Sequence, residues 1–413
     1  MGPHCGCLAE VVLVEDGSGT LHINTSDPAS QPVLVNGVNV DALFETVKAQ
    51  QSMLEQYQAA VQAQQSINSV QQSTIDAQHD INSALQSKVG YLCQARAQQI
   101  GHYHHSASTF QWVGGVLANN GLLYATPHNA DSVLIIDPST NTVDVTTISG
   151  LGTNGGNWAG AVQALNSLIY MFPANKASML IIDPVTNAVD TTSIQSLGSG
   201  NGKWFSGVTA DNGLVFGVPY YATDVLLIDP TTNTADVTSM SSLSSDIEKW
   251  YGGVQAPNGL IYCIPNIASS VLIINPESLT MDLTTLNGLG TGAKWYGGVL
   301  AGNGLIYAIP AYTATALIID PATNTTDMLI VAEATSSRKW IGGVLAPSGN
   351  VIGVPYSSPS VLVIDPTTNT SDTTSVRDLA GSSKWYGGVL ANNGLIYGAP
   401  SQANTVLVID PGC

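Results

Sequence analysis

The chain has 413 residues, 44% of them hydrophobic, which is enough to bury a large core. Only 10% are charged, and 29 acidic against 11 basic residues leave a net charge of −18. Phosphate neutralisation needs clustered Lys and Arg, so this balance argues against nucleic acid as a partner. No apolar run reaches the roughly 18 residues of a membrane span.

The opening residues, MGPHCGC, do not read as a signal peptide. Cys5 and Cys7 flank one glycine, too tight for a standard structural zinc pair, and suit a bridge to another chain. Residues 1–38 are predicted to form a β segment: Glu10 to Val14, a turn at Asp16 to Gly19, Thr20 to Asn24, then Val33 to Val38.

Residues 39–92 are predicted to be one long helix, from about Val40 to Leu92, with Asn39 or Asp41 as cap. At 1.5 Å per residue it would run roughly 80 Å. Val47, Leu54, Val61, Asn68, Ile75, Asn82 and Val89 recur every seven residues. The companion positions Leu43, Gln50, Tyr57, Gln64, Gln71, Gln78, Leu85 and Leu92 are often Gln. This is a polar coiled-coil seam. A lone helix of this length leaves its stripe in water, so the expected partner is another copy of the chain. The alternative is a single helix lying along the rest of the protein.

Residues 93–413 repeat. Tryptophans stand at 112, 158, 204, 250, 295, 340 and 385, in steps of 45 or 46 residues. Asp-Pro, or Asn-Pro at 275, keeps the same beat from Asp137-Pro138 to Asp410-Pro411. Regular self-similarity at this period marks a repeat architecture. Each unit holds four short β-rich runs, for example Trp295 to Leu300, Leu305 to Pro310, Ala316 to Asp320 and Thr326 to Val331. Asn-Gly between the first two runs, as at Asn258-Gly259, favours a type I′ turn. Asp-Pro-x-Thr-Asn, as at Asp229 to Asn233, marks a second tight turn. Four antiparallel strands per repeat make one propeller blade, so the fold class is all-β with seven four-stranded blades. Gly-Gly after the tryptophan, as at Gly297-Gly298, suits the crowded innermost strand, and the tryptophans are assigned to packing between blades.

The seventh repeat reaches Cys413 with three strands. The fourth is predicted to come from residues of about 96–103, with the repeat offset giving Gln98 to His102. The same register puts Cys93 and Cys413 on neighbouring positions of one turn, so a disulfide there would lock the ring. Cys263 is read as a small buried thiol. A structural disulfide implies an oxidising, extracellular address. Sequons at Asn24, Asn324 and Asn369 are candidate N-glycosylation sites, the last two in matching exposed turns.

Candidate ligand groups lie in the loops of one propeller face. Lys203, Lys249, Lys294, Lys339 and Lys384 each precede a tryptophan and form a partial basic ring. That ring suits anion capture or, more plainly, solvated lysines with stems on aromatics. Tyr220, Tyr221, Tyr312 and Tyr356 are expected as exposed aromatics able to stack on sugars. His102, His104 and His128 are weak candidates for a metal, and none is assigned. Asp246 and Glu248 share one loop without visible partners. No Ser–His–Asp set or phosphate loop is evident, and no cofactor is expected.

Motifs such as SVLIIDPSTNTVD and NGLIYAIP resemble seven-bladed propellers of the YVTN and NHL type over residues 112–413. Propeller hydrolases of such folds ring a metal with Asp, Glu, Asn and His, a set nearly missing here. The stretch from VLVNGVNVDALFETV over residues 33–92 resembles β-to-coiled-coil junctions of extracellular fibre and stalk proteins of algae, protists and large viruses. Together these imply a non-enzymatic surface subunit that self-assembles as a homo-oligomer or filament. A carbohydrate-binding propeller on an oligomeric stalk is the alternative, and a propeller hydrolase or lactonase ranks third.

Overall fold

The structure, a computed structural model, describes residues 11–25, 33–35, 38–102, 110–153, 155–331 and 338–412. It divides into two compact units, Met1–Val89 and Gly90–Cys413.

In the first unit, Val11–Glu15 and Leu21–Thr25 pair as an antiparallel hairpin. Asp16 closes its turn, its Oδ1 accepting from the Ser18 and Thr20 amides at 2.9 and 3.0 Å. The single strand expected over Val33 to Val38 is instead two paired strands, Leu34–Val35 and Val38–Asn39. Val35 pairs with Val38 and Leu34 with Asn39, so the run folds back on itself. The helix spans Val40–Leu92, 53 residues. Asn39 is its cap: Oδ1 accepts from the amides of Asp41 and Ala42 at 3.0 and 3.2 Å. Its heptad stripe is uncovered, with Leu54 58%, Val61 54% and Ile75 61% exposed. No helix among the described residues is long and apolar enough to cross a membrane.

The second unit is a ring of seven four-stranded antiparallel blades. Blade 4 is typical: Trp250–Gln255, Ile261–Pro265, Leu272–Asn275 and Thr280–Asp282, from axis to rim. The core lies between blades. One buried cluster joins Tyr262 and Ile264 of blade 4 to Trp295, Ile306 and Leu317 of blade 5. All seven tryptophans are buried, and each indole N–H donates at 2.7–3.0 Å to the carbonyl twenty residues on.

The Gly-Gly pair does what crowding at the axis requires. Gly252, Gly297, Gly342 and Gly387 all have positive φ, at a bulge in the innermost strand. A Cβ on Gly252 would stand 2.8 Å from the Gly297 Cα, and one on Gly342 3.0 Å from the Gly387 Cα. Blade 3 carries Ser206 at this place, and its Oγ accepts from the Gly252 amide at 3.0 Å.

Two turn expectations need correction. Between strands one and two, only the glycine has positive φ: Gly121 lies at 83°, and Asn120 does not share the left-handed region. The Gly121 amide donates to the Ala118 carbonyl at 2.9 Å, so this is a type I turn followed by a left-handed glycine, not type I′. The Ala118 amide donates to the Leu122 carbonyl at 2.9 Å, which leaves a loop of three residues, 119–121, one more than the primed hairpin has. Strand four of blade 1, expected from the sequence over roughly Asp144 to Ile148, is instead Thr142–Asp144. Its carboxylate accepts from the Thr146 amide and hydroxyl at 2.6 and 2.7 Å and bends the chain away. Blades 2, 3, 4 and 6 repeat this Asp-x-Thr-Thr/Ser turn. Blade 5 reads Asp327-Met-Leu-Ile, and its fourth strand runs on to Ile330.

Blade 7 is completed by Arg96–Ile100, paired with Val406–Asp410. The expected Gln98 to His102 is thus shifted two residues toward the N-terminus, the same early offset as Asp144 shows. Gly412 runs tight against Cys93, where an added Cβ would stand 2.2 Å from the Cys93 carbonyl oxygen. Cys93 is disulfide-bonded. Cys413, Cys5 and Cys7 lie outside the described residues, so the Cys93–Cys413 pairing is a proposal that this proximity supports.

A latch ties the outer parts of neighbouring blades. Asn258 Nδ2 donates to the Tyr262 hydroxyl and to the Pro321 carbonyl of blade 5, both at 2.9 Å. Tyr262 Oη donates to Asn324 Oδ1 of blade 5 at 2.9 Å. The tyrosine–asparagine bond recurs as Tyr124–Asn187, Tyr170–Asn233, Tyr307–Asn369 and Tyr397–Asn141. Blade 3 has Phe216 in place of the tyrosine, and its partner position in blade 4 is Leu279, packed in the same apolar cluster. The exchange is matched on both sides: losing the donor goes with losing the acceptor.

Candidate functional site

The residue after each tryptophan faces the axis. Val113, Ala159, Phe205, Tyr251, Tyr296, Ile341 and Tyr386, one from each blade, share a single cluster. Tyr251 of blade 4 lies 6.0 Å from Tyr386 of blade 7, so the rings meet across the axis and fill it. Tyr251 also stacks on Tyr296 at 4.8 Å. Burial pushes the Tyr251 and Tyr386 phenols up, so both stay neutral.

A second layer comes from the loops between strands two and three. Tyr220 and Tyr356 are 5% and 4% exposed, which corrects their expected role as open stacking surfaces. Tyr220 bonds to the Tyr296 hydroxyl at 3.0 Å. Tyr221 and Tyr312 are half-buried and remain partly open.

The third layer is the position two before each tryptophan. The backbone there is left-handed in blades 2 and 3, where Gly156 and Gly202 adopt it freely. Phe110, Glu248 and Ser383 take the same conformation at φ 58°, 54° and 53°, which strains a residue with a Cβ. Arg338 sits at this place in blade 6. Its guanidinium lies over Tyr296 at 5.1 Å and Tyr312 at 5.7 Å, and Nε donates to the Tyr312 hydroxyl at 2.5 Å. Glu248 stands 3.9 Å away as its counter-ion. Sequence reasoning named the Glu248 loop but missed Arg338 and the plug of rings. The signal was the aromatic residue directly after four of the tryptophans.

The five lysines are neither solvated nor free to hold an anion. All are buried. Lys203 Nζ donates to the carbonyls of Ala174, Lys176 and Gly200 at 3.2, 2.8 and 3.0 Å. Lys384 does the same with Tyr356, Ser358 and Gly381. Lys294 follows suit, while Lys249 and Lys339 bond to the Asp246 and Thr313 carbonyls. Four of the ammonium groups also lie over the tryptophan that follows, at 5.4–5.8 Å. Burial pulls Lys203, Lys249, Lys294 and Lys384 down to about 8. Lys203, Lys294, Lys339 and Lys384 thus staple their own blade to a loop of the blade before it, while Lys249 holds the loop that enters its own blade. In blade 2, Asn157 takes the place and donates to the Gly152 carbonyl at 2.6 Å.

The remaining candidates are dispersed. His128 bonds the Trp158 carbonyl through Nδ1 at 2.9 Å, and burial lowers its pKa. His102 is exposed, and His104 lies outside the described residues. Among the described residues, no three His, Cys, Asp or Glu side chains come together as a metal site. Asn324 and Asn369 are exposed, with Oδ1 engaged by the tyrosine latch. Asn24 lies in the second hairpin strand. Cys263 is free and fully buried, and burial pushes its thiol up.

No protein-family model matches the chain, and no curated protein matches it. Solved structures share the fold. A catalytically inactive variant of virginiamycin B lyase from Staphylococcus aureus with quinupristin aligns at TM-score 0.61 and 8% identity, over 76% of this chain and 99% of that one. The WD40 propeller of Doa1 aligns at 0.54 and 12%, over 75% and 97%. The extracellular domain of a one-component system from B. thetaiotaomicron aligns at 0.56 and 9%, over 75% of this chain and 42% of that one. A lyase, a WD40 domain and a system's extracellular domain share one ring at these identities, so the likeness shows the propeller fold alone.

Proposed function

We propose that this chain is a non-enzymatic extracellular subunit that self-assembles, as an oligomer or filament, through its N-terminal strands and helix. The propeller is the displayed head. The observation that carries this reading is the helix Val40–Leu92, whose apolar heptad positions stand open over its length. Such a stripe gains stability by packing against equal stripes on other copies. Asn68 and Asn82 in that series would fix register, as polar seam residues do. The exposed hairpin strands offer edges to a neighbour. On the head, aromatic rings fill the axis and carbonyls cap the lysines, which leaves little room there for a reacting substrate. The disulfide at Cys93 fits an oxidising compartment. A lyase-like or hydrolase-like activity ranks below this reading, since a shared fold is its support.

Sedimentation of the full chain against the variant Leu54→Glu/Val61→Glu tests the proposal. The expected result is a concentration-dependent multimer for the former and a monomer with an unchanged propeller for the latter. A full chain that stays monomeric at tens of micromolar overturns it.

A further inference from the structure

Blades 3 and 4 each present a cleft between the strand-two-to-three loop and the loop entering the innermost strand. At blade 3 this cleft holds about 460 Å³ and is lined by Tyr221, Thr223, Asp224, Asn201, Ser196 and Lys203. At blade 4 it holds about 360 Å³.

The two clefts differ in chemistry. The tyrosine place, seventeen residues after the tryptophan, holds Asn129, Asn175, Tyr221, Ile267, Tyr312, Ser357 and Gln402 around the ring. The aspartate place, twenty residues after it, holds Asp224 in blade 3 and Ser or Thr in the other six blades. Blade 3 alone pairs an aromatic wall with a carboxylate.

That carboxylate is underused. Asp224 Oδ1 is buried with no hydrogen-bond partner among the described residues. Oδ2 accepts one long bond, from the Thr223 hydroxyl at 3.4 Å. A carboxylate has about four acceptor positions, and leaving them empty while partly buried is unfavourable. Its sibling residues are hydroxyls that make no such demand.

We infer that the blade 3 cleft binds a neutral sugar residue, stacked on Tyr221 and donating hydroxyls to Asp224. The half-buried Tyr221 ring is braced from behind by Tyr220, 5.0 Å away and nearly parallel, so it offers a fixed apolar face to sugar C–H groups. Asn201, Thr223 and Ser196 add an amide and two hydroxyls at the exposed rim. Lys203 lines the same cleft with its ammonium already capped by three carbonyls, so nothing there receives an acidic sugar and Asp224 would repel one. The volume suits one or two pyranose rings.

The test uses the full chain on an array of neutral and acidic glycans, alongside Tyr221→Asn and Asp224→Ser. Both variants install residues that sibling blades carry at the same place, so the ring has already accommodated them. The expected result is binding to a subset of neutral glycans, weakened at least tenfold by either substitution, with the melting temperature of the propeller held. A blank array, binding confined to sialylated or sulfated glycans, or binding unchanged in both variants overturns the inference.

Discussion

The propeller and the helix handle apolar surface in opposite ways. Trp340 of the propeller is 0% exposed and Leu54 of the helix 58%. In the ring, a repeat of 45 or 46 residues closes on itself, so each blade covers the face of the next and no partner is needed. In the helix, a repeat of seven residues stays open. A closed repeat makes a self-sufficient head, and an open one makes a surface that other copies can complete.

The sharpest way to break that contrast is to damage each side separately. Trp340→Ala should destabilise the propeller by about 3–5 kcal/mol, from lost burial plus cavity, read as a fall in thermal midpoint. It should leave assembly through the helix in place. A variant that melts normally would remove the tryptophans from the account of the core.

A next test probes closure at the axis. Gly297→Ala forces a Cβ into a left-handed residue at φ 86° and within 3.1 Å of the Gly342 Cα. The conformational strain alone is about 1–2 kcal/mol, and the contact with backbone adds to it. Urea denaturation should show the loss, and a neutral result would mean the blades approach less closely than described.

Much of this was legible in the sequence, and the reasons are local. The tryptophan and Asp-Pro beat gave the blade count, and the offset before Trp112 located the closing strand to within two residues. The error of two arose because Asp144 ends its strand through a side-chain turn, which β-propensity does not register. The lysines and Tyr220 were misjudged for a different reason. The lysines are covered by loops at the blade junctions and Tyr220 by the axial rings of Phe205, Tyr251 and Tyr296, contacts that no single repeat displays. Arg338 and Glu248 come from separate blades, and pairing them requires the ring. The match of Phe216 with Leu279 also becomes readable once register across blades is known.

That match supplies a finer test. Phe216→Tyr alone buries a hydroxyl opposite Leu279 and should destabilise by about 1–3 kcal/mol. Adding Leu279→Asn restores the pairing of the sibling blades and should recover most of the loss. A double variant no better than the single one would show that the tyrosine latch does not couple blades.

The smallest expected effect is with pH. Asp144, Asp190, Asp236 and Asp282 are held down to about 2, chiefly by the hydroxyls of Thr147, Ser193, Ser239 and Thr285. Their folded-state pKa lies below the usual 3.8, so the unfolded chain binds more protons in between. Their contribution is therefore present above that value and lost as pH falls from 3.8 toward about 2. Thermal midpoints should fall through this window in the ring and leave helix content less affected. A flat profile there would discount the strand-ending aspartates.

The central claim is that the open helical stripe joins copies of the chain. Sedimentation equilibrium of the 413-residue chain over micromolar concentrations tests it most directly. The account predicts a mass that is a whole multiple of 42.9 kDa, returning to 42.9 kDa in Leu54→Glu/Val61→Glu. A mass of 42.9 kDa for the unaltered chain at every concentration would contradict it.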